Sequence, residues 1–146
     1  MNKFKIYIAH PISGLTGKEV INYYQKITEL LEDKYYILSP MAGKEHLYND
    51  NICVPHGYQD AICNNHAIFK RDMWMINQSD IIFCDFTKAK QISIGCTGEI
   101  CVGAALNKHI VLAMEDDNIH NHAFILEAAH IILPTYDEAI DYLLQL

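Results

Sequence analysis

The stretch Asp80-Ile81-Ile82-Phe83-Cys84-Asp85-Phe86 decides the fold. It is a nearly unbroken apolar run bounded by carboxylates, which is typical of a parallel β-strand that is buried on both faces. A strand of this kind requires helices above and below its sheet. The run therefore predicts the central strand of an α/β protein.

The segments on either side of this run alternate between strand and helix patterns. Short apolar runs stopped by Pro, Gly or acidic residues predict strands, and apolar positions three and four residues apart predict helices. The predicted strands cover residues 4–9, 35–40, 80–86, 109–114 and 131–134. The predicted helices cover residues 16–33, 61–78, 97–106, 121–130 and 135–146. The first and last helices begin with a Thr-x-x-Glu sequence, which has the form of a capping box.

This alternation predicts an α/β fold with a five-stranded, parallel, doubly wound sheet in a three-layer α/β/α arrangement. The flavodoxin-like strand order 2-1-3-4-5 is the leading expectation. The chain has 146 residues, of which 51% are apolar, and this size fits one domain over residues 1–146. Sheets of this type bind ligands outside the carboxyl ends of their strands, here between the first and the third strand.

Composition and charge disfavour several classes of partner. The formal net charge is −7, from 11 Lys and Arg against 18 Asp and Glu, so polymeric nucleic acid is not an expected partner. No apolar run has the length of a membrane span and the N-terminal segment has no signal-peptide core, so we expect no membrane contact and a cytoplasmic location. The 5 cysteines form no C-x-x-C pair, which favours reduced, packed thiols.

Motifs for metals and cofactors are also missing from the sequence. There is no H-E-x-x-H motif and no Cys/His quartet at ligand spacing, so no metal site is predicted. The phosphate-binding sequences G-x-x-x-x-G-K-[ST] and G-x-G-x-x-G are absent, which disfavours nucleoside triphosphatases and dinucleotide oxidoreductases. We therefore predict no cofactor.

Several polar side chains are expected to meet in one crevice at the carboxyl ends of the strands. Tyr7 and His10 belong to the end of the first strand and its loop, Asp85 ends the third strand, and Glu99 lies in the first turn of the next predicted helix. The segment 41–57 follows no period, and loops of this length often form lids or walls of binding sites.

Glu99 carries the strongest chemical signal. Gly95 and Gly98 before it let the backbone approach a ligand closely, and a helix N-terminus would keep the Glu99 carboxylate anionic. An ionised carboxylate in a crevice is a candidate nucleophile. The alternative is a carboxylate that only complements the helix dipole, as acids in a first turn commonly do.

Three groups of residues carry a resemblance to a known family. They are Ile6-Tyr7-Ile8-Ala9-His10-Pro11, the pair Asp72 and Asp80, and Gly95-x-x-x-Glu99-Ile100-x-Val102-Gly103-x-Ala105 followed by Lys108-x-Ile110-Val111-Leu112. Together they resemble the nucleoside 2-deoxyribosyltransferase family over nearly the whole chain. The resemblance implies a flavodoxin-like sheet and an enzyme that breaks the N-glycosidic bond of 2′-deoxynucleosides. In that family a nucleophilic Glu attacks the anomeric carbon, and a second base then takes the sugar.

The resemblance also implies roles for individual residues. Glu99 falls on the family nucleophile, and Tyr7 falls on the Tyr whose hydroxyl orients it. Asp72 matches an Asp that contacts the base and assists proton transfer to the leaving nitrogen. From the residues alone, desolvation by Met73 and Trp74 would raise the pKa of Asp72 enough for this work, whereas the alternative is a solvated helix carboxylate.

Asn121 matches an Asn that a neighbouring subunit lends to the 5′-hydroxyl of the sugar. The resemblance therefore implies a homo-oligomer whose partners are small molecules, namely a nucleoside or its monophosphate and a free base. We also expect exposed apolar side chains on the helix that carries Tyr23 and Tyr24, which points to self-association.

The sequence departs from the family pattern at two positions. His10 stands where the family usually has Gly, and Ser93 stands where the transferases tend to have an Asp near the sugar. Ser93 resembles the Ser of the related 2′-deoxynucleoside 5′-monophosphate N-hydrolases, which receives the 5′-phosphate. Transfer and hydrolysis both stay open, as does a non-catalytic nucleotide-binding module on the same sheet. Asp85 either anchors the base or caps nearby amides.

Overall fold

Five parallel strands in the order β2-β1-β3-β4-β5 form the centre of the computed structural model, which describes residues 2–146. The strands are β1 (Phe4–Ala9), β2 (Tyr35–Leu38), β3 (Ile81–Asp85), β4 (His109–Ala113) and β5 (Ile131–Leu133). The α-helices are α1 (Gly17–Leu31), α2 (Asn65–Gln78), α3 (Ile94–Ala105), α4 (Ala123–Ala128) and α5 (Tyr136–Gln145). Each neighbouring pair of strands is parallel. The predicted flavodoxin-like order is therefore confirmed.

Helices cover both faces of the sheet, because alternate residues of each strand point to opposite sides. On one face, Ile8 and Phe83 pack in a buried cluster with residues of α1 and α5. On the other face, Tyr7 and Ile82 pack in a second buried cluster with residues of α2, α3 and α4. All residues of β3 are buried, as its apolar sequence predicts. The molecule thus has the three-layer α/β/α arrangement.

Local signals at helix ends are well predicted by the sequence. Thr16 and Glu19 form the expected capping box: the Glu19 backbone N–H donates to the Thr16 hydroxyl (3.1 Å), and the Thr16 backbone N–H donates to the Glu19 carboxylate (2.7 Å). Thr135 caps α5, as the second Thr-x-x-Glu sequence predicts. Small residues let α3 lie close to the sheet, because a Cβ at Gly103 would stand only 2.1 Å from Ile82 Cδ1.

Other helix boundaries differ from the prediction. Helix α3 begins at Ile94 rather than at Thr97, because the Ser93 side chain accepts a hydrogen bond from the Cys96 backbone N–H and caps the helix. Helix α2 begins after Asn64, which caps it in the same way. In both cases a short polar side chain before the helix is the signal that the apolar period alone does not reveal.

The expected exposure of the aromatic residues on α1 is wrong. Tyr24 is buried, and Tyr23 stacks on His10 with ring centroids 3.7 Å apart. Leu30 is half exposed on α1, but the most exposed apolar side chains of the helices lie on the opposite layer, namely Trp74 on α2, Ile94 on α3 and Phe124 on α4. Within residues 2–146, no helix has both the length and the apolar character that crossing a bilayer requires.

The segment between β2 and α2, residues 39–64, is named the long loop. It contains the 3₁₀ helix Glu45–Leu47 and is held against the loop after β1. The Gly17 backbone N–H donates to Asn51 O at 3.0 Å, and the Cys53 backbone N–H donates to Leu15 O at 2.7 Å. The long loop therefore has a defined position above the carboxyl end of the sheet.

Candidate active site

A cavity of about 360 Å³ opens beside the carboxyl ends of β1 and β3, where a doubly wound sheet is expected to bind its ligand. Its size is in the range of small-molecule sites. The long loop forms one wall, as its length predicts. The loop after β1, helix α2 and the start of α3 form the others. The wall includes His10, Lys44, Asp72, Ser93, Gly95 and Glu99.

Tyr7 and Glu99 meet at the floor of this cavity. Tyr7 is fully buried in β1 and points to the face that α3 covers, so its hydroxyl reaches Glu99 Oε1 and donates a hydrogen bond of 2.8 Å. Burial raises the pKa of Tyr7 well above its ordinary value, and the nearby Glu99 charge raises it further. The hydroxyl therefore stays protonated and acts as a donor that orients one oxygen of Glu99.

The electrostatic environment of Glu99 differs from the prediction. Glu99 is the sixth residue of α3 and so lies beyond the first turn, where a helix N-terminus acts on charges. Enclosure by the cavity walls raises the pKa of Glu99 to about 8, the Asp72 charge raises it as well, and the Tyr7 hydrogen bond and Lys44 oppose the shift. The expectation of an anion held by the helix dipole is wrong, because desolvation dominates.

Asp72 lies on α2 and faces the same cavity. It is only 7% exposed, and no hydrogen bond within residues 2–146 reaches its Oδ1. Burial raises the pKa of Asp72 to about 6, against the opposing charges of Lys44 and Arg71. This burial contradicts the alternative hypothesis that Asp72 is a solvated carboxylate on a helix surface. The expectation that Trp74 helps to desolvate Asp72 is wrong, however, because Trp74 is 61% exposed and points away from the core.

Ser93 lies at the N-terminus of α3, where its hydroxyl accepts from the Cys96 backbone N–H at 3.3 Å. The buried His120 contacts Ser93: the Ser93 backbone N–H donates to His120 Nε2 at 2.8 Å. Since Nε2 accepts, Nδ1 carries the proton and donates to Asn118 Oδ1 at 3.0 Å. Sequence analysis missed this role of His120, because the contact joins two distant loops. An added Cβ at Gly95 would meet nothing within 4 Å, so this stretch leaves room for a ligand.

His10 and Asp85 form a second group beside the cavity. His10 Nδ1 lies 3.3 Å from the Asp85 carbonyl oxygen and 3.8 Å from its Oδ2. Burial lowers the pKa of His10, against the Asp85 charge. Asp85 Oδ1 accepts from the Thr87 backbone N–H at 2.9 Å and from the Thr87 hydroxyl at 2.6 Å. Of these two predicted binding residues, the structure brings His10 but not Asp85 to the cavity wall.

Asn121 lies outside the cavity of its own chain. It is exposed, just before α4, and its side-chain amide donates to Asp116 O at 2.8 Å. The interaction predicted for it involves a neighbouring subunit, so its distance from the cavity of its own chain neither supports nor opposes that role.

Lys44 is a residue of the cavity wall that sequence analysis did not identify. It lies in the long loop and is only 5% exposed. Its charge lowers the pKa of both Asp72 and Glu99, which places it near both carboxyl groups. Nothing in the local sequence signals its burial, since a Lys in an irregular segment is usually solvated.

One cluster in residues 2–146 could hold a metal ion. The ligating atoms of His46, Asp60 and Cys63 lie within 4.8 Å of one another in the long loop. Two of these residues are exposed. His46 Nε2 is 3.8 Å from Asp60 Oδ2 and 4.0 Å from Cys63 Sγ. The contacts among these three side chains therefore explain why their ligating atoms lie close together.

The sequence and the structure both match known proteins. Residues 6–133 match the family model described as "Nucleoside 2-deoxyribosyltransferase". No curated protein sequence matches the chain significantly. Among solved structures, the fold is similar to that of the CMP N-glycosidase BcmB of Clostridium botulinum, with a TM-score of 0.58 and 16% sequence identity. The similarity covers 97% of this chain and 99% of that one.

Proposed function

Because the chain belongs to the nucleoside 2-deoxyribosyltransferase family, whose chemistry is the cleavage and transfer of N-glycosidic bonds, we propose that it acts on 2′-deoxynucleosides through a covalent deoxyribosyl-Glu99 intermediate and passes the sugar to another base. The observation that carries this proposal is the 2.8 Å hydrogen bond from Tyr7 to Glu99 at the floor of a cavity that also contains Asp72. A nucleophile, the group that orients it and an acid share one site.

The proposed reaction has two steps at the same carbon. In the first, an oxygen of the Glu99 carboxylate attacks C1′, and the electrons of the C1′–N bond pass to the base. Asp72 supplies a proton, so that the base leaves neutral. In the second, a nitrogen of an incoming base attacks C1′ and displaces Glu99 as a carboxylate, while the Asp72 carboxylate takes up the proton that this base loses. Two displacements at one carbon retain its configuration.

A second candidate function is hydrolysis of 2′-deoxynucleoside 5′-monophosphates, with water in place of the incoming base. Ser93 favours it. Its hydroxyl stands at the N-terminus of α3 on the cavity wall, and a helix N-terminus attracts phosphate. In residues 2–146, the only carboxylates on the wall are Asp72 and Glu99, so no further acid opposes an anion there.

Product analysis separates the two candidates. The protein is incubated with a 2′-deoxynucleoside and a different free base, and separately with a 2′-deoxynucleoside 5′-monophosphate in buffer alone. A new nucleoside in the first reaction supports transfer, and free base with deoxyribose 5-phosphate in the second supports hydrolysis. If neither substrate is consumed, the non-catalytic module becomes the better hypothesis.

Replacing Ser93 by Asp is expected to lower kcat/KM for a 5′-monophosphate by roughly 100-fold, because a carboxylate beside the phosphate is repulsive. The value for the matching nucleoside should change little, since Asp also caps a helix. Steady-state kinetics on the pair of substrates measures the effect. Thr135→Asp is the matched control, because it replaces a cap on the remote helix α5. An equal loss for both substrates would argue against a phosphate at Ser93.

We also propose a homo-oligomer in which Asn121 reaches a neighbouring cavity. The exposed apolar side chains of the α2–α3–α4 layer support it: Ile94 is 86% exposed and Phe124 is 70% exposed, and Asn121 directly precedes α4. Phe124→Glu is expected to dissociate the assembly to monomers, which light scattering on a sizing column measures. Leu144→Glu on α5 is the control for an exposed apolar residue outside this layer. A wild-type monomer at micromolar concentration would contradict the proposal.

A further inference from the structure

Two polar side chains on the cavity wall have groups that the protein leaves without partners. Asp72 Oδ1 is buried and accepts no hydrogen bond. Lys44 is only 5% exposed, and its ammonium group, which keeps access to the cavity, makes no hydrogen bond or ion pair with any residue in 2–146. A poorly solvated polar group without a partner is destabilising, and the cost is larger for a charged group. Two such groups at one cavity indicate that a ligand supplies the missing partners.

Contacts within the protein place Lys44 on the wall of the same cavity as Asp72, so the ligand does not have to position it. The Lys44 backbone N–H donates to Met41 O at 3.0 Å, which closes a turn of the long loop. The Arg71 side chain donates to Ala42 O and ties this turn to α2, one residue before Asp72. Lys44 and Asp72 are therefore positioned together, although they come from different elements.

The two groups present donors to the cavity. An ammonium group donates only. Because burial raises the pKa of Asp72 to about 6, a substantial part of the Asp72 carboxyl is protonated in mildly acidic solution, and its mechanistic role requires the proton. A pair of donors selects a ligand edge that has two adjacent acceptors.

We propose that Lys44 and Asp72 select the base by donating to a carbonyl oxygen and to the neighbouring unprotonated ring nitrogen. This inference rests on the proposed function and specifies its substrates. The O6/N7 edge of hypoxanthine or guanine and the O2/N3 edge of cytosine have this pattern. Adenine presents an amino group beside N7, and thymine has a hydrogen on N3. Each of these bases therefore places a hydrogen-bond donor against one of the two protein donors, Lys44 or protonated Asp72.

This arrangement also assists the departure of the base. As the C1′–N bond breaks, its electrons delocalise toward the carbonyl oxygen, where the positive charge of Lys44 stabilises them. The Asp72 proton moves to the ring nitrogen, Asp72 becomes a carboxylate, and the base leaves neutral. Lys44 thus contributes to specificity and to leaving-group stabilisation in the same interaction.

The test compares 2′-deoxyinosine with 2′-deoxyadenosine, and deoxycytidine with thymidine, each as the nucleoside and as the 5′-monophosphate. We expect the wild type to prefer the first member of each pair. Lys44→Met should lower kcat/KM for that member by roughly 10- to 100-fold, the range of a hydrogen bond to a charged group. The second member should change by less than about threefold. Lys44→Arg should retain part of the preference, and Lys26→Met on the exposed face of α1 is the control.

A loss that is equal for both members of a pair would overturn the proposal, because it would show that Lys44 does not recognise the base. Calorimetry with free hypoxanthine and free adenine on the wild type, carried out below about pH 6 where Asp72 is protonated, provides a separate measurement. It needs no turnover and no variant that has to fold. Tighter binding of hypoxanthine supports the proposal, and equal binding contradicts it. If no nucleoside or monophosphate is cleaved while hypoxanthine is preferred, the proposed function fails and the base recognition stands.

Discussion

Replacing Glu99 by Gln is expected to lower kcat for glycosidic cleavage by about 10⁴-fold or more, which is the scale of losses when a covalent nucleophile is removed. An amide cannot form the sugar ester, but its oxygen can still accept the 2.8 Å hydrogen bond from Tyr7. The fold should therefore be retained, and substrate should still bind. Single-turnover kinetics measures the rate, and Glu29→Gln on the exposed side of α1 is the matched control.

Direct detection of the intermediate complements the rate measurement. On mixing with substrate and rapid acid quenching, the wild type should gain the mass of one sugar residue on the peptide that contains Glu99, and Glu99→Gln should gain none. A variant that retains wild-type turnover would falsify the nucleophile assignment. That outcome would favour another nucleophile in the same cavity.

The second large expected effect is on the pH dependence of kcat/KM, which involves Asp72. The proposed reaction requires Glu99 as a carboxylate and Asp72 as an acid, whereas the pKa of Glu99 is about 8 and that of Asp72 is about 6. Between these values the pair holds one proton, which resides mainly on Glu99. The active arrangement, with the proton on Asp72, is then the minor form of the pair.

A bell-shaped profile of kcat/KM is therefore expected, with apparent pKa values of about 6 and about 8 that belong to the pair. Activity falls below about pH 6 because Glu99 and Asp72 are both protonated. It falls above about pH 8 because neither holds the proton that the leaving base needs. Initial rates at subsaturating substrate from pH 4 to 10 measure both limbs.

Asp72→Asn is expected to lower kcat/KM by about 10²- to 10⁴-fold, the usual contribution of a general acid. The alkaline limb should disappear, because no acid remains to lose its proton. The remaining acid limb should then report the ionisation of Glu99 alone, at a pKa below about 8, since the Asp72 charge no longer raises the pKa of Glu99. Asp141→Asn on the exposed side of α5 is the control.

A substrate with a cationic leaving base separates acid catalysis from a structural role of Asp72. A 7-methylpurine deoxynucleoside departs without a proton, so Asp72→Asn should slow its cleavage much less than that of an ordinary nucleoside. Equal losses for both substrates would mean that Asp72 acts only by binding or by holding the cavity open.

Much of the candidate site follows from sequence, because the residues that carry it lie at recognisable places in the order of elements. Tyr7 ends a predicted strand and Glu99 follows a glycine-containing loop. In parallel strands those places converge on one edge of the sheet. Asp72 is harder to place, since a carboxylate on a mixed helix is most often solvated. The resemblance to a family indicated its role, and only the packing of α2 beside α3 buries it.

Other features of the site have no local signal. Lys44 lies in a segment without a period, and the contact of Arg71 with Ala42 O, which ties this segment to α2, leaves no pattern in the sequence. The contact between His120 and Ser93 joins residues that are 27 positions apart. The start of α3 did have a signal, the Ser93 cap, but the polar character of residues 87–95 made that stretch resemble a loop.

By itself the sequence determined the fold class and the strand order, since apolar periodicity, capping pairs and short crossovers act over a few residues and leave a local record. The family resemblance added Tyr7, Asp72 and Glu99 as candidate site residues. The tertiary structure alone decided the protonation of those residues and the partners left open to a ligand. Desolvation depends on which distant segments enclose a group, so Glu99 has a raised pKa although its local sequence predicts an anion.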